Sequence, residues 1–189
     1  MIRTFHHEDF AAAQLAEQKA RHGHRVSVCL PARDEAATIG AIVEDLRCSL
    51  VERTGLVDEI LVVDDHSTDD TAAVAHSAGA RVVAVDDVLP ELGAGEGKGE
   101  ALWKSVAAAD GDLIVWCDAD ITDFGPRFVV GLVGPLLARL SLPGLTTPDS
   151  KVGGARCRSP RCRRAFGTPR RSREWPRVPN VSPRRRGTP

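Results

Sequence analysis

The feature that most restricts what this chain can fold into is a set of four short apolar runs with no polar alternation. They are VSVCL at 26–30, ILVV at 60–63, RVVAV at 81–85 and LIVWC at 113–117. A strand with one wet face alternates apolar and polar residues, whereas a strand covered on both faces does not. Between the runs the period changes to that of a helix. Ile39, Ile42, Val43, Leu46 and Leu50 fall on one helical face, with Asp34 expected as the N-cap. A second helix is expected over 68–78, where Ser67 and Asp70 have the spacing of a capping box and Gly79 supplies the stop. A third carries Ala101, Leu102, Val106 and Ala109, and a fourth spans about 126–138. Residues 5–21 are Ala-rich and free of Gly and Pro, which predicts an N-terminal helix within 1–23, and Pro31 is expected to end the first strand. Strand and helix in regular alternation make this an α/β fold with a mostly parallel sheet.

Acidic residues collect where the strands end: Asp34 and Glu35, Asp64 and Asp65, Asp118 and Asp120. In open α/β sheets ligands sit at that edge. Asp118-Ala119-Asp120 carries the strongest chemical signal, because two carboxylates one residue apart on a turn address one hard cation such as Mg2+ or Mn2+. Taken alone, an Asp-x-Asp pair is a polar turn; the buried run before it and the acids at neighbouring strand ends favour a site. Asp64-Asp65 and Pro31-Ala32-Arg33-Asp34-Glu35 offer acceptors for a base or a ribose, and each also reads as a strand exit leading into a helix cap. The segment 93–99 is glycine-rich and contains Lys98, so its backbone N–H groups and the ammonium suit a phosphate. It is not a P-loop, since Leu92 stands where the first Gly is required and Gly99 where Ser or Thr must hold the metal.

Charge divides the chain. Residues 1–137 carry 24 acidic and 11 basic side chains, and 138–189 carry 14 basic and 2 acidic ones, a split hidden by the overall net charge of -1. The last 52 residues include 13 Arg and 8 Pro without apolar periodicity, which predicts a disordered tail. With one Trp and one Phe for stacking, that tail fits no nucleic-acid module, so no specific nucleic acid is expected as a partner. Cys157 and Cys162 lack a second pair of ligands for zinc. No apolar run approaches the roughly 20 residues that cross a bilayer, so no membrane association is expected. The first ten residues lack the apolar core of a secretory leader, and five cysteines without a regular framework point to the reducing cytoplasm.

Four blocks carry a resemblance: VSVCLPARDEAATIGAIVEDL, EILVVDDHSTDDTAAVAHSAGARVV, GKGEALWKSVAAADGDLIVWCDADI and FVVGLVGPLL. Together they resemble the glucosyl-3-phosphoglycerate synthase family of actinobacteria, retaining glycosyltransferases of the GT-A fold related to family 2. The likeness covers about residues 24–137, and its GKGEALW and FVVGLVGPLL blocks are more specific than its Asp-x-Asp. It implies a Rossmann-like nucleotide-sugar-binding half-domain and transfer of glucose from UDP-glucose to 3-phosphoglycerate with Mg2+ or Mn2+. By that likeness Pro31, Ala32, Arg33 and Glu35 line the uridine site, as does Asp65, where the family often has Ser. Lys98, Asp118 and Ala119 contact the nucleotide, and Asp120 holds the metal. No side chain stands as a nucleophile, so front-face attack by the acceptor is implied. A homodimer is a feature open to the full-length members.

After GPLL the family continues with further strands, an acceptor-phosphate site and a metal-binding His, and those blocks are missing from 138–189. The Arg, Pro, Gly and Ser content there matches a GC-rich gene read out of frame, which predicts a truncated enzyme of doubtful activity. A non-catalytic UDP-binding module is the alternative, and an interaction protein acting through its basic tail is a third reading.

Overall fold

The four runs form strands of one parallel sheet; those at 26–30, 60–63 and 113–116 are largely buried, whereas 81–84 lies at an edge with no buried residue. The computed structural model describes residues 4–93, 95–140 and 155–157. Strands β1 (Val26–Ala32), β2 (Glu59–Asp64), β3 (Arg81–Ala84) and β4 (Leu113–Trp116) are joined at one edge by β5 (Ala155–Cys157), in the order β3-β2-β1-β4-β5. The first four are parallel and β5 is antiparallel to β4. Five helices connect or flank them: α1 (Ala12–His22), α2 (Ala36–Leu46), α3 (Thr71–Ala78), α4 (Lys98–Ala108) and α5 (Arg127–Leu140).

The two-residue period of the strands divides their side chains between two cores. Val28, Leu30, Ile60, Val62, Leu113 and Val115 face one way, against α1, α2, α3 and α5. Cys29, Leu61, Val63 and Ile114 face the other way, against Ala101 of α4 and Val85. Helix α2 buries Ile39, Ile42, Val43 and Leu46, the stripe that its sequence period predicts. Each such side chain contributes about 1.5–3 kcal/mol.

Several local expectations are corrected, each by a tertiary contact. Pro31 lies inside β1 and does not end it. Cys117 N–H donates to the Cys29 carbonyl, so Cys29, and Pro31 two residues on, face β4; that strand stops at Trp116, opposite Cys29, and the missing N–H of Pro31 therefore costs no ladder bond. Asp34 has a left-handed backbone (φ 56°) and is not the N-cap of α2; Glu35 holds that position. The helix expected over 68–78 begins only at Thr71, without the Ser67 capping box, although Gly79 ends it as expected. The N-terminal helix is interrupted: a 3-10 turn, His7–Asp9, precedes α1, and the Asp9 carboxylate takes the His6 N–H at 2.7 Å. Gly134 of α5 leaves room for the Phe10 ring, which an added Cβ would meet at 2.4 Å, so packing fixes Phe10 outside the helix.

Most of the segment expected to be a disordered tail lies outside the described residues, as does Cys162. Within it, α5 continues to Leu140, and Ala155–Cys157 forms β5 where disorder was expected. The free edge of β4 offers unpaired N–H and C=O groups that any extended segment can satisfy.

Gly111 marks the tightest approach at the opposite end of the sheet. A Cβ there would stand 2.7 Å from the Ser27 nitrogen and 3.0 Å from the Arg25 carbonyl oxygen, both backbone atoms of the central strand region. Gly111→Ala is expected to lower stability by about 1–3 kcal/mol, read as a lower urea midpoint with an unchanged slope.

Candidate functional site

Three strand ends and the start of one helix enclose a cavity of about 270 Å3. Pro31, Ala32, Arg33 and Glu35 come from the end of β1 and the turn after it, and Asp65 follows β2. Gly97, Lys98 and Ala101 come from the entry into α4, and Asp118, Ala119 and Asp120 follow β4. All nine residues singled out from the sequence therefore meet in one place. Gly97 belongs to the glycine-rich segment expected at a phosphate, whereas Ala101 was not foreseen, having no polar side chain to signal a role. Asp34 and Asp64 do not line the cavity. One carboxylate oxygen of Asp64 is buried without a hydrogen-bond partner among the described residues.

The stagger of the sheet creates the space. Register pairs Ala32 with Asp64, but β4 leaves the sheet opposite Cys29, so 117–120 crosses beside the last residues of β1. Along that crossing Cys117 and Ala119 are buried while Asp118 and Asp120 are exposed. A two-residue period thus turns both carboxylates to the same open side. The Thr38 hydroxyl donates to the Ala119 carbonyl at 2.6 Å, tying the turn to α2.

The turn after β1 is held by the loop after β2. Asp34 Oδ1 accepts from the Thr68 N–H at 2.7 Å, and the Asp34 N–H donates to Ser67 Oγ at 3.0 Å. The Glu35 N–H donates to Thr71 Oγ1 at 2.7 Å, and the Ala36 N–H to Asp69 Oδ2 at 3.1 Å. These bonds satisfy the first N–H groups of α2, which its own sequence does not cap. The Thr71 hydroxyl, with the Thr71 and Ala36 N–H groups, holds the Asp69 carboxyl below the usual carboxylate range.

Charges within the cavity are paired or exposed. Lys98 Nζ forms an ion pair with Asp118 Oδ1. Asp65 is buried, and its Oδ2 accepts from the Gly97 N–H at 2.8 Å. Its Oδ1 lies 3.1 Å from His66 Nδ1, and His66 Nε2 lies 3.0 Å from Asp86 Oδ2. Hydrogen bonds to Asp65 and then Asp86 raise His66 above the ordinary histidine range. The chain sequence offered one hint of this, a His directly after the acid pair. Burial, with the nearby Asp118 charge, pushes the Cys117 thiol up to about 12, so it is no nucleophile at neutral pH.

The lining carries four carboxylates, Glu35, Asp65, Asp118 and Asp120, against two cations, Arg33 and Lys98. Its oxygen donors suit a hard divalent cation, and two exposed carboxylates leave the remaining coordination positions to a phosphate ligand and water. Among the described residues, the close cluster of three potential ligands is His6, His7 and Glu8, on the N-terminal turn and outside the cavity lining.

Comparison with known proteins agrees with this architecture. Glucosyl-3-phosphoglycerate synthase of Petrotoga mobilis is 44% identical over 136 residues, which make up 71% of this chain and 42% of that protein. The crystal structure of mannosyl-3-phosphoglycerate synthase from Rubrobacter xylanophilus superposes with a TM-score of 0.70 at 39% identity, covering 76% of this chain and 46% of that one. Glucosyl-3-phosphoglycerate synthase from Mycobacterium tuberculosis, in complex with Mn2+, uridine-diphosphate-glucose and phosphoglyceric acid, superposes with a TM-score of 0.64 at 45% identity over 71% of this chain and 46% of that one. The α/β fold is the GT-A fold of these glycosyltransferases, and the chain spans less than half the length of each of these relatives. The match to the family description glycosyl transferase family 2 covers residues 27–177, running beyond the boundary at 137 expected from composition. This chain belongs to glycosyl transferase family 2.

Proposed function

We propose that residues 24–137 bind the donor UDP-glucose for a metal-dependent, retaining transfer of glucose to 3-phosphoglycerate. The observation that carries this reading is the exposed pair Asp118 and Asp120 set in one cavity with Gly97 and Lys98. Relatives at this identity are glucosyl-3-phosphoglycerate synthases, and the Mycobacterium tuberculosis enzyme has been solved with Mn2+ and with Mg2+ beside UDP.

In this reading Pro31, Ala32, Arg33 and Glu35 border the uridine, the rigid turn and the acidic acceptor setting its orientation. One Asp65 oxygen accepts the Gly97 N–H and the other lies 3.1 Å from His66 Nδ1, so Asp65 borders the uridine with its remaining lone pairs. Asp120 holds the cation, with Asp118 and the Ala119 backbone at the nucleotide. Because four carboxylates outnumber two cations in the lining, a diphosphate enters only with its own charge compensation. Bound there, Mg2+ or Mn2+ supplies Lewis-acid neutralisation of the diphosphate as it leaves. Lys98, paired with Asp118 at the nucleotide side of the cavity, would add a second positive charge for the diphosphate. Front-face attack by the acceptor, without a protein nucleophile, is part of the same reading.

By the resemblance, the acceptor site would belong to the part of the family that follows the blocks matched up to residue 137. A second reading is nucleotide binding without transfer. Sequencing the gene across codon 138 tests the proposal that 138–189 is read out of frame: a single-base change restoring a long homologous frame is the expected result. Cytoplasmic residence is part of the same proposal, supported by five cysteines without a regular framework. No helix among the described residues is long and apolar enough to cross a membrane.

Calorimetry of the full chain with UDP is expected to show binding with Mn2+ or Mg2+ and little without. Asp120→Ala is expected to weaken the metal-dependent binding by at least about tenfold, equivalent to ~1.4 kcal/mol. Equal UDP affinity in the presence and absence of metal would refute the site. Lys98→Ala is expected to raise the Kd several-fold, with the loss largest at low ionic strength, where an exposed charge is least screened. Incubation with UDP-glucose and 3-phosphoglycerate separates the two readings: glucosylated product favours the transferase, and binding without product favours the module.

A further inference from the structure

His66 lies outside the cavity wall, yet its backbone is in the left-handed region (φ 60°), a conformation that costs a non-glycine residue roughly 1–2 kcal/mol. That turn places the imidazole between two carboxylates, Asp65 at 3.1 Å and Asp86 at 3.0 Å. A neutral imidazole has one N–H and one lone pair, so it would set the lone pair against one of the two carboxylates. Only the imidazolium donates to both.

Asp65 carries the effect into the cavity. Its second oxygen holds the Gly97 N–H at 2.8 Å, and the Gly97 carbonyl accepts from the N–H groups of Glu100 and Ala101 in the first turn of α4. Gly97 has φ 95°, so a side chain at this junction would be strained, and Lys98 follows it directly as the first residue of α4. The other end of the same loop is anchored by fully buried Lys104, which donates to the Val85 and Gly93 carbonyls at 3.0 and 3.3 Å. Asp86 follows Val85 in the same short turn. Val85 is therefore held by Lys104 and Gly97 by Asp65, and His66 ties Asp65 to Asp86, the residue after Val85.

We propose that His66 is a positioning residue for the nucleotide site: its imidazolium, bridging Asp65 and Asp86, locks the Gly97 amide onto Asp65 and so sets Lys98 toward the diphosphate. The consequence for UDP rests on the binding function proposed above, whereas the lock itself does not. The charged groups facing the ring are Asp65 from the end of β2 and Asp86 from the turn after β3; Lys98, on α4, is turned to Asp118. The histidine is held above its ordinary range, first by Asp65 and then by Asp86. The lock is therefore complete at and below the ordinary histidine pKa and is lost as pH rises through the higher, folded-state value.

Nitrogen-15 NMR of the full chain tests the lock without any ligand. The Gly97 amide proton is expected to move upfield in step with deprotonation of His66, at a pH above the ordinary value of about 6.5. In His66→Gln that step disappears. A Gly97 resonance that ignores the His66 titration in the wild-type chain overturns the proposal. Calorimetry with UDP and Mn2+ forms the second arm. His66→Gln and Asp86→Asn are each expected to weaken binding about five- to tenfold, the loss of one charge-assisted hydrogen bond. Wild-type affinity in both variants also overturns it. If the wild-type chain binds no UDP while Gly97 follows His66, the lock stands and the donor-site reading fails.

Discussion

The hydrogen bonds between the loop after β1 and the loop after β2 are the constraint on which the site depends. Neither α2 nor α3 is capped by a side chain at its own N-cap position. Thr71 and Asp69 instead receive the first N–H groups of α2, while Asp34 receives the Thr68 N–H. A hydrogen bond of this kind contributes about 0.5–1.5 kcal/mol, or about 1.5–3 kcal/mol where a carboxylate is a partner. The geometric result matters more than the sum. Two loops from adjacent parallel strands become one rigid edge, and Arg33, Glu35 and Asp65 are fixed relative to one another before any ligand arrives.

Around that edge the parallel sheet supplies the rest. Parallel strands bring their carboxyl ends to one side, so acids far apart in sequence become neighbours. The early end of β4 leaves a step beside β1, and Asp118-Ala119-Asp120 occupies it with Ala119 as the buried foot and both carboxylates exposed. Thr38 fixes that foot through the Ala119 carbonyl. The cavity that results is acidic, with four carboxylates in its lining against Arg33 and Lys98.

Much of this was legible along the chain. The absence of polar alternation in 26–30, 60–63 and 113–117 reports strands covered on both faces, because the sequence of a strand records its two environments directly. The positions of Asp65, Lys98, Asp118 and Asp120 at strand or helix ends placed them on one edge as soon as the sheet was taken as parallel. Helix starts were less legible. Ser67 and Asp34 have the right side chains for capping, but their oxygens find partners across the gap between two loops, and those partners are absent from any local window. Pro31 was misleading for a similar reason, since its tolerance in β1 depends on where the neighbouring strand ends.

The amino-acid order by itself determined the first four strands and the helices between them, their parallel sense and the residue types available at the carboxyl edge of the sheet, since these depend on local period and on burial. The tertiary structure alone decided which of the acids share a cavity, that Asp34 binds a loop and does not begin a helix, and that His66 stands between two carboxylates. Those outcomes rest on hydrogen bonds between segments 20 to 34 residues apart. A hydrogen bond requires contact within about 3 Å, and only the folded chain brings such groups to that distance.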